Sequence, residues 1–292
     1  MNAITNIIRL LRPRQWVKSG FVFMGLLFSH GWTQPSLRAR VIMAAIAFSL
    51  VSSGVYVLND LFDRNSDTQH KLKRVRPLAS GAVSVRTAAV VLATLWILGF
   101  GLGAVVSLPV VFILALYAVL NIGYSMGLKH VVVLDVFIIA AGFILRLLAG
   151  TTGVGIAPSN WILLCGMMTA LFLGFAKRRS ELYTRTGDPA GHRRVLEQYQ
   201  PVFLDKMIVI TATCVIISYG LYTLSPATIA FHHTESLIYT LPFVIYGVFR
   251  YIYALHTHTT GSDPAQELFN DPHLVFSITG WLVLTIWIIK ST

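Results

Sequence analysis

Charge is scarce in this sequence: only 12% of its 292 residues are Asp, Glu, Lys or Arg, against about 25% in a soluble domain. That composition is wrong for a protein living in water. Cysteine is scarce too. Cys165 and Cys214 both lie within apolar runs, which gives neither a framework of bridges nor a metal-ligand spacing. Acid is scarcer than base, with 12 Asp and Glu against 23 Lys and Arg, for a formal net charge of +11. No linker, low-complexity tract or soluble domain interrupts the chain, and the same figures exclude disorder and a collagen-like chain. A Ser-His-Asp arrangement is missing as well. What is present is hydrophobicity: 55% of the residues are apolar and the mean hydropathy is +0.69. On a soluble protein the positive charge would suggest nucleic acid. In a chain this apolar it reads as membrane topology and phosphate-bearing partners.

A membrane-spanning helix needs roughly 20 mostly apolar residues, and nine such runs occur, at about 17–34, 39–58, 87–106, 109–127, 131–149, 159–176, 207–225, 237–255 and 274–290. The first is the least regular, interrupted by Ser29, His30 and Gly31, and suits a tilted or partly interfacial helix. Its Arg-rich start resembles a signal peptide, but no small-residue cleavage site follows, so it is read as a mature helix. The expected architecture is an all-α integral membrane protein, a single nine-helix bundle over 1–292.

Orientation follows from Lys and Arg. With the N-terminus inside, the inner side collects Arg9, Arg12, Arg14, Lys18, Arg64, Lys71, Lys73, Arg74, Arg76, Arg86, Lys129, Lys177, Arg178, Arg179, Arg185, Arg193, Arg194, Lys206 and Arg250. The outer side has Arg38, Arg40 and Lys290. A cytoplasmic N-terminus and an outside C-terminus are expected. The acids crowd the same inner face, where Asp60, Asp63, Asp67, Asp135, Glu181, Asp188, Glu197, Asp205, Asp263, Glu267 and Asp271 all fall, and only Glu235 lies outside. A face dense in carboxylates and cations can hold a metal and a polyanion together, although a solvated surface gives the same count.

Spacing decides between the two. The run Asn59-Asp60-Leu61-Phe62-Asp63-Arg64-Asn65-Ser66-Asp67 closes the second apolar run. If the helix continues, 60, 63 and 67 are related by i+3 and i+4 and share one face, with Asn59 at its edge. Three like charges there repel and are costly near a membrane. Mg²⁺ suits such a set, since it takes few carboxylates and completes its octahedron with water and phosphate oxygens. Directly after comes Lys71-Leu72-Lys73-Arg74-Val75-Arg76-Pro77-Leu78-Ala79-Ser80-Gly81, where Pro and Gly stop the helix and fold the basic segment back near its carboxylates. Arg forks suit phosphate and Lys adds point charge, while plain positive-inside topology explains any one of these cations equally well.

These residues resemble a known family. The Asn-Asp-x-x-Asp-x-x-x-Asp pattern at the end of the second run, the following Arg76-Pro77-Leu78-x-x-Gly81 and nine crossings resemble the UbiA-type intramembrane prenyltransferase superfamily. Further segments resemble its decaprenyl-phosphate phosphoribosyltransferase branch: Leu11-Arg12-Pro13-Arg14-Gln15-Trp16-Val17-Lys18, Tyr124-Ser125-x-x-Leu128-Lys129, Leu134-Asp135-Val136 with Leu145-Arg146-x-x-Ala149-Gly150, Lys177-Arg178-Arg179-x-Glu181-Leu182, and Arg250-Tyr251 with Gly261-x-Asp263-Pro264.

The resemblance implies transfer of a 5-phosphoribosyl group from phosphoribosyl diphosphate (PRPP) to a polyprenyl phosphate such as decaprenyl phosphate, with release of diphosphate, at a site opening to the cytoplasm. It places Mg²⁺ and diphosphate on Asn59, Asp60, Asp63 and Asp67, with the three aspartates as the catalytic set. Lys18, Lys73, Arg74, Arg76, Lys129, Lys177 and Arg178 are then expected to hold phosphates. Tyr124, Glu181 and Tyr199 are expected to orient ribose or a basic side chain, and Asp135, near the cytoplasmic end of its helix, joins the site or is simply a hydrated helix end. The implied partners are PRPP and a membrane lipid phosphate rather than nucleic acid, with a homo-oligomer left open, and the branch points to synthesis of an arabinosyl donor for a cell wall. Aromatic prenyltransferases of the superfamily carry a second Asp-rich motif after the sixth helix, whereas this chain has Lys177, Arg178, Arg179 and Glu181, with Asp188 isolated. An aromatic prenyltransferase using a polyprenyl diphosphate is the alternative enzyme. An anion transporter is the alternative from another class, though transporters place charge near midplane and show internal repeats.

Other residues read more plainly. Asp135 and Arg146 are eleven residues apart in one apolar run, about 16 Å along a helix, too far to pair directly; Arg146 is expected to be structural, meeting helix-end carbonyls. His232, His233, His256 and His258 form no convincing ligand set. Gly99, Gly101 and Gly103 lie in an apolar run, where they favour close helix packing over phosphate binding.

Overall fold

The computed structural model describes residues 3–69, 73–183, 195–257 and 270–291. Lys71, Leu72, Arg185, Asp188, Arg193, Arg194, His258, Gly261, Asp263, Pro264 and Glu267, all named above, lie outside these. Among the described residues the secondary structure is entirely helical. Eight helical stretches among the described residues are long and apolar enough to cross a membrane: Pro35–Phe62, Val85–Val106, Leu108–Met126, Leu134–Val154, Asn160–Leu182, Pro201–Leu224, Ser236–Thr257 and Pro272–Lys290. The protein is therefore an integral membrane protein. The chain falls into two compact units, 1–158 with 187–195, and 159–186 with 196–292.

The first unit contains α1 (Ala3–Leu11), a 3-10 helix over Pro13–Phe23, α2 (Met24–Phe28), α3 (Pro35–Phe62), α4 (Arg64–Gln69), α5 (Val85–Val106), α6 (Leu108–Met126) and α7 (Leu134–Ala149). Its helix starts follow from local chemistry. Pro35 and Pro109 occupy first-turn positions where no N–H is needed. Ser84 caps α5 by accepting from the Thr87 N–H, and Ser107 caps α6 by accepting from Val110. α3 is the axis of the unit, in contact with α5, α6, α7 and the 3-10 segment. Its most apolar stretch is 67% buried, against 22% for α5, so α3 is the inner helix and α5 turns Val90, Ile97, Leu98 and Val105 outward to an apolar surround. Phe48, Val51 and Val55 of α3 meet Leu114 and Tyr117 of α6 and Leu145 of α7 in the larger core.

The run expected at 17–34 differs from a single helix. It is 3-10 over Pro13–Phe23, α-helical only over Met24–Phe28, and broken at His30, which takes a left-handed φ of 54° before a 3-10 turn at Gly31–Thr33. Gly20, Gly25 and Gly31 deprive this stretch of helix stability. Gly25 also serves a close approach: a Cβ there would lie 2.5 Å from the Gly150 carbonyl oxygen. Of the three glycines of α5, two pack as expected. A Cβ on Gly99 would meet Val51 at 2.7 Å and one on Gly103 would meet Leu114 at 2.8 Å, whereas Gly101 faces open space.

Arg146 lies on α7 and is almost fully buried. Its Nη1 donates to the Gly142 carbonyl at 3.0 Å, inside the helix and not at its end, and its Nη2 donates to the Tyr117 hydroxyl at 3.2 Å. The guanidinium lies 4.7 Å from the Phe48 ring centroid, 4.9 Å from Tyr117 and 5.8 Å from Phe143, so three aromatic faces stabilise the charge.

The second unit holds α8 (Asn160–Tyr183), most of the single turn α9 (Val195–Gln198), α10 (Pro201–Leu224), α11 (Pro226–His232), α12 (Leu241–Thr257) and α13 (Pro272–Lys290). α8 pairs with α10 and α12 with α13. Polar side chains tie the helices where lipid offers no competing water. Tyr219 of α10 shares a hydrogen bond of 2.6 Å with Thr240 and accepts from Trp281 Nε1 of α13 at 2.7 Å. Buried His232 meets the Tyr222 hydroxyl at 3.2 Å. Asp271 caps α13, accepting from the His273 and Leu274 N–H groups at 2.8 and 3.3 Å, and binds Arg250 through Nε at 2.9 Å and Nη2 at 2.8 Å. Burial alone would push the Asp271 carboxyl up, but the Arg250 hydrogen bond and the two backbone donors outweigh it and hold the group below the usual carboxylate range.

Two stability predictions follow from these contacts. A Cβ on Gly150 would overlap the backbone carbonyl of Val22, so Gly150→Ala is expected to cost about 3 kcal/mol or more, while Gly101→Ala in open space is neutral or stabilising by about 0.5–1 kcal/mol. Thermal unfolding in detergent checks both, and equal melting temperatures for the two variants would contradict the packing described. Asp271→Ala should destabilise by about 1 kcal/mol or more and Asp271→Asn by less, because Asn still caps. Since the folded carboxyl is held low, its contribution is complete above the ordinary carboxylate range and is lost as pH falls through the folded value; a melting-temperature profile from pH 7 down to acid should steepen for the wild type relative to Asp271→Ala.

Candidate active site

The acidic motif straddles the end of α3. The Asp63 N–H still bonds the Asn59 carbonyl at 2.9 Å, the helix turns, and the Asp67 N–H bonds the Asp63 carbonyl at 2.8 Å, carrying helical register into α4. Asp60 and Asp67, one on each side of this turn, are both about 3% exposed, and both reach Arg76. Arg76 Nη1 donates to Asp67 Oδ2 at 2.7 Å and to Asp60 Oδ1 at 3.2 Å. Asp63 departs from this face: it is more exposed and takes Lys129 Nζ at 2.8 Å. The expected single face of three carboxylates is therefore split into a buried pair and an outer member, because the helix turns at Asp63.

Arg76 reaches back through the turn that follows it. The Ser80 N–H bonds the Arg76 carbonyl and the Val83 N–H bonds the Pro77 carbonyl, each at 2.9 Å, and Gly81 supplies the left-handed φ of 74° that closes the turn. Leu78, 1% exposed, anchors the turn in a small core with Leu10, Val57, Val83 and Leu95. Lys73 and Arg74 precede this turn, with Arg74 exposed.

From α6, the Ser125 hydroxyl donates to Asn59 Oδ1, next to half-buried Tyr124. Lys129 follows on the short 3-10 turn Leu128–His130. Asp135 is fully buried in the first turn of α7, just after Val133, whose φ of 69° is rare for a β-branched residue. Lys18 is half-buried on the 3-10 segment.

Two partners escape a reading by sequence spacing. One is Arg12, whose Nη2 donates to Asp60 Oδ1 at 2.5 Å and whose guanidinium lies 5.1 Å from the Tyr56 ring centroid. The contact spans 48 residues, and in the sequence Arg12 stands among Arg9 and Arg14, which add the same charge to the same segment. The other is Ser125, 66 residues from Asn59; both appear in the sequence only within the segments that carry the family resemblance.

In the second unit, Arg178 is completely buried and pairs with Glu181 one turn on along α8. Lys177 is half-buried beside it. Tyr199 is buried with its ring stacked on Phe203, 6.2 Å between centroids. Arg179, for which the sequence predicts no site role, binds Asp205 of α10 and donates to the Leu255 carbonyl of α12 at 2.9 Å, joining three helices.

The acidic motif offers hard oxygen donors only. Among the described residues no three His, Cys, Asp or Glu side chains converge as a ready metal cage. Two buried carboxylates meeting one guanidinium nitrogen nevertheless mark a position where a cation belongs, with Arg76 standing in. That set suits an ion such as Mg²⁺, which uses one or two carboxylates and takes its remaining ligands from phosphate and water.

The chain aligns at 32% identity over 291 residues with a decaprenyl-phosphate phosphoribosyltransferase of Corynebacterium glutamicum, covering 96% of this chain and 86% of that protein. It aligns at 31% identity with the protein of the same name from Mycolicibacterium smegmatis, covering 77% and 72%. Its fold matches a UbiA homologue from Archaeoglobus fulgidus bound to DMAPP and Mg²⁺ with a TM-score of 0.72, at 18% identity over 98% of this chain and 99% of that one. The model of the UbiA prenyltransferase family matches residues 19–270, and with buried carboxylates held by cations where α3 ends, this membrane-embedded enzyme belongs to that family.

Proposed function

We propose that this enzyme transfers a 5-phosphoribosyl group from PRPP to a polyprenyl phosphate such as decaprenyl phosphate, releasing diphosphate, in a Mg²⁺-dependent reaction at the cytoplasmic face of the membrane. The observation that carries the reading is the meeting of Asp60 and Asp67 on Arg76, with Lys129 on Asp63 alongside: a carboxylate pair fit for a metal, bordered by cations fit for phosphate. The relatives in C. glutamicum and M. smegmatis, named decaprenyl-phosphate phosphoribosyltransferase and alike over most of the chain, support a phosphoribosyl transfer to a polyprenyl phosphate.

The chemistry needs little more than positioning and charge. The acceptor is already an anionic phosphate oxygen, so its attack on ribose C1 requires no strong general base. As the C1–O bond to diphosphate breaks, positive charge grows on the ribose ring, and carboxylates in a water-poor site stabilise it. Asn59, Asp60, Asp63 and Asp67 would hold the metal, whose chemistry when bound would be to supply positive charge for the diphosphate. Lys18, Lys73, Arg74, Arg76 and Lys129 bind phosphate oxygens, Arg76 bringing its fork and the lysines point charge. Tyr124 and Asp135 orient the ribose. Of the residues in the second unit, Lys177 and Arg178 are assigned to phosphate, and Glu181 and Tyr199 to orienting ribose or a basic side chain. The whole of 1–292 acts as one domain in this reading.

Nine crossings follow in the same reading. The 3-10 helix of 11 residues and the 5-residue α2 together rise about 30 Å at their respective pitches, the thickness of the hydrocarbon core. The N-terminus is then cytoplasmic and the C-terminus outside.

Purified protein in nanodiscs, given Mg²⁺, radiolabelled PRPP and decaprenyl phosphate, should move label into the lipid phase. EDTA should abolish transfer, and Asp60→Asn and Asp67→Asn should each lower it by roughly 10²–10³-fold. Prenylation of a small aromatic acid from a polyprenyl diphosphate, with no phosphoribosyl transfer, would replace this reading by the alternative enzyme. Topology is tested separately with reporter fusions: a C-terminal alkaline phosphatase should be active in the periplasm, and an inactive one would return the count to an even number of crossings.

A further inference from the structure

Arg12 occupies an unusual place. It links α1 to the 3-10 helix and has φ 52° and ψ 57°, a left-handed backbone that favours Gly or Asn over Arg. Both flanks are pinned to α3: the Trp16 indole donates to the Ser53 hydroxyl at 2.9 Å, and that hydroxyl donates to the Leu11 carbonyl at 2.9 Å. The side chain is left with a fixed root and a partly exposed tip, its 30% exposure contrasting with 3% for Asp60 beneath it. The tip donates to Asp60 Oδ1, the same oxygen that accepts from Arg76 Nη1, while that nitrogen also donates to Asp67 Oδ2. Asp60 is thus doubly saturated with positive charge before any other cation arrives.

We propose that Arg12 is an internal competitor for the metal at Asp60, a positioning residue that keeps the bare divalent ion bound only weakly. The inference rests on the assignment of Asp60 as a metal ligand made above. A cation approaching Asp60 Oδ1 must break a short charge-assisted hydrogen bond, and the guanidinium it displaces stays close, because its backbone is fixed and the Tyr56 ring offers a face 5.1 Å away. A lone ion therefore gains one carboxylate while setting free a cation beside it. An ion that arrives with a polyphosphate brings the anionic oxygens that take up that guanidinium. Metal and phosphate ligand are in this way coupled through one side chain, and Asp60 is protected from idle occupancy.

The test is direct binding of Mn²⁺ alone, in place of Mg²⁺, to the full-length protein in phosphate-free detergent buffer, with free ion counted by electron paramagnetic resonance. Arg12→Gly and Arg12→Asn both tolerate the left-handed backbone, so loss of fold does not mask the result. Each is expected to bind Mn²⁺ roughly ten-fold more tightly than wild type, the size of one charge-assisted contact, while Arg12→Lys, which keeps a cation there, stays near wild type. Exposed Arg14 controls for charge at a distance, and Arg14→Gln should leave the affinity unchanged. Unchanged or weaker binding in the Gly and Asn variants, or equal tightening in Arg14→Gln, overturns the proposal. Asp60→Asn added to Arg12→Gly separates the two levels: it should lose the tightened binding, and tight binding retained in that double variant would overturn the metal assignment itself, whatever Arg12 does.

Discussion

A carboxylate buried at the end of an apolar helix cannot stand alone, and that constraint organises the first unit. Asp60 ends the apolar run of α3 with 3% exposure, where an uncompensated charge costs several kcal/mol. The compensation comes from two distant pieces of chain, Arg12 before the first apolar run and Arg76 in the turn after α4. Because both must arrive, the N-terminal helix, the end of α3 and the 73–83 turn are fixed to one another. The apolar anchors follow the same lines, with Leu10 and Leu78 packing with Val57 in one small core. Trp16, Ser53 and the Leu11 carbonyl add a polar brace on the same flank.

Arg146 poses the same problem with the sign reversed and finds another solution. Among the described residues no carboxylate pairs with it. Its charge rests on the faces of Phe48, Tyr117 and Phe143, on a hydroxyl and on a carbonyl one turn back. Rings and dipoles stabilise a cation without adding an anion for others to compete over. The contrast separates a settled charge from an exchangeable one. Arg146 is enclosed by side chains that have no other partner to offer, whereas Arg12 and Arg76 hold carboxylates that are equally good ligands for a metal.

The apolar runs of the sequence predict the long helices well, because 20 or so hydrophobic residues have few other stable forms in lipid. The exception, 17–34, shows what hydropathy misses: it counts apolar residues, but Pro13 and the glycines at 20, 25 and 31 decide which helix they make. The return of Arg76 to its acids is legible too, since Pro77 and Gly81 are a turn signal within reach of the motif. The division of the three aspartates is not. An i+3 and i+4 rule assumes an unbroken helix, and the turn at Asp63 sends that side chain to Lys129. Arg12 is hidden for a deeper reason. Its partner lies 48 residues away, and nothing in its own neighbourhood distinguishes it from Arg9 or Arg14, which contribute the same charge to the same side.

A site that is already neutralised before its ligands arrive has a consequence for catalysis. If Asp60, Asp63 and Asp67 were bare, bringing them together would cost repulsion in every folded molecule, and a bound metal would relieve it so strongly that the ion would be hard to release. With Arg12, Arg76 and Lys129 in place each carboxylate already has an opposite charge, and in the proposed function the binding of a metal with a polyphosphate would be an exchange of partners in which each carboxylate and each cation keeps one. Little solvent or protein has to reorganise for that exchange, which is the condition under which fixed charges stabilise a transition state most effectively. In the function proposed here, the cations that hold the carboxylates in the fold are also the ones that would meet the phosphates, so that fold stability and phosphate recognition would rest on the same side chains.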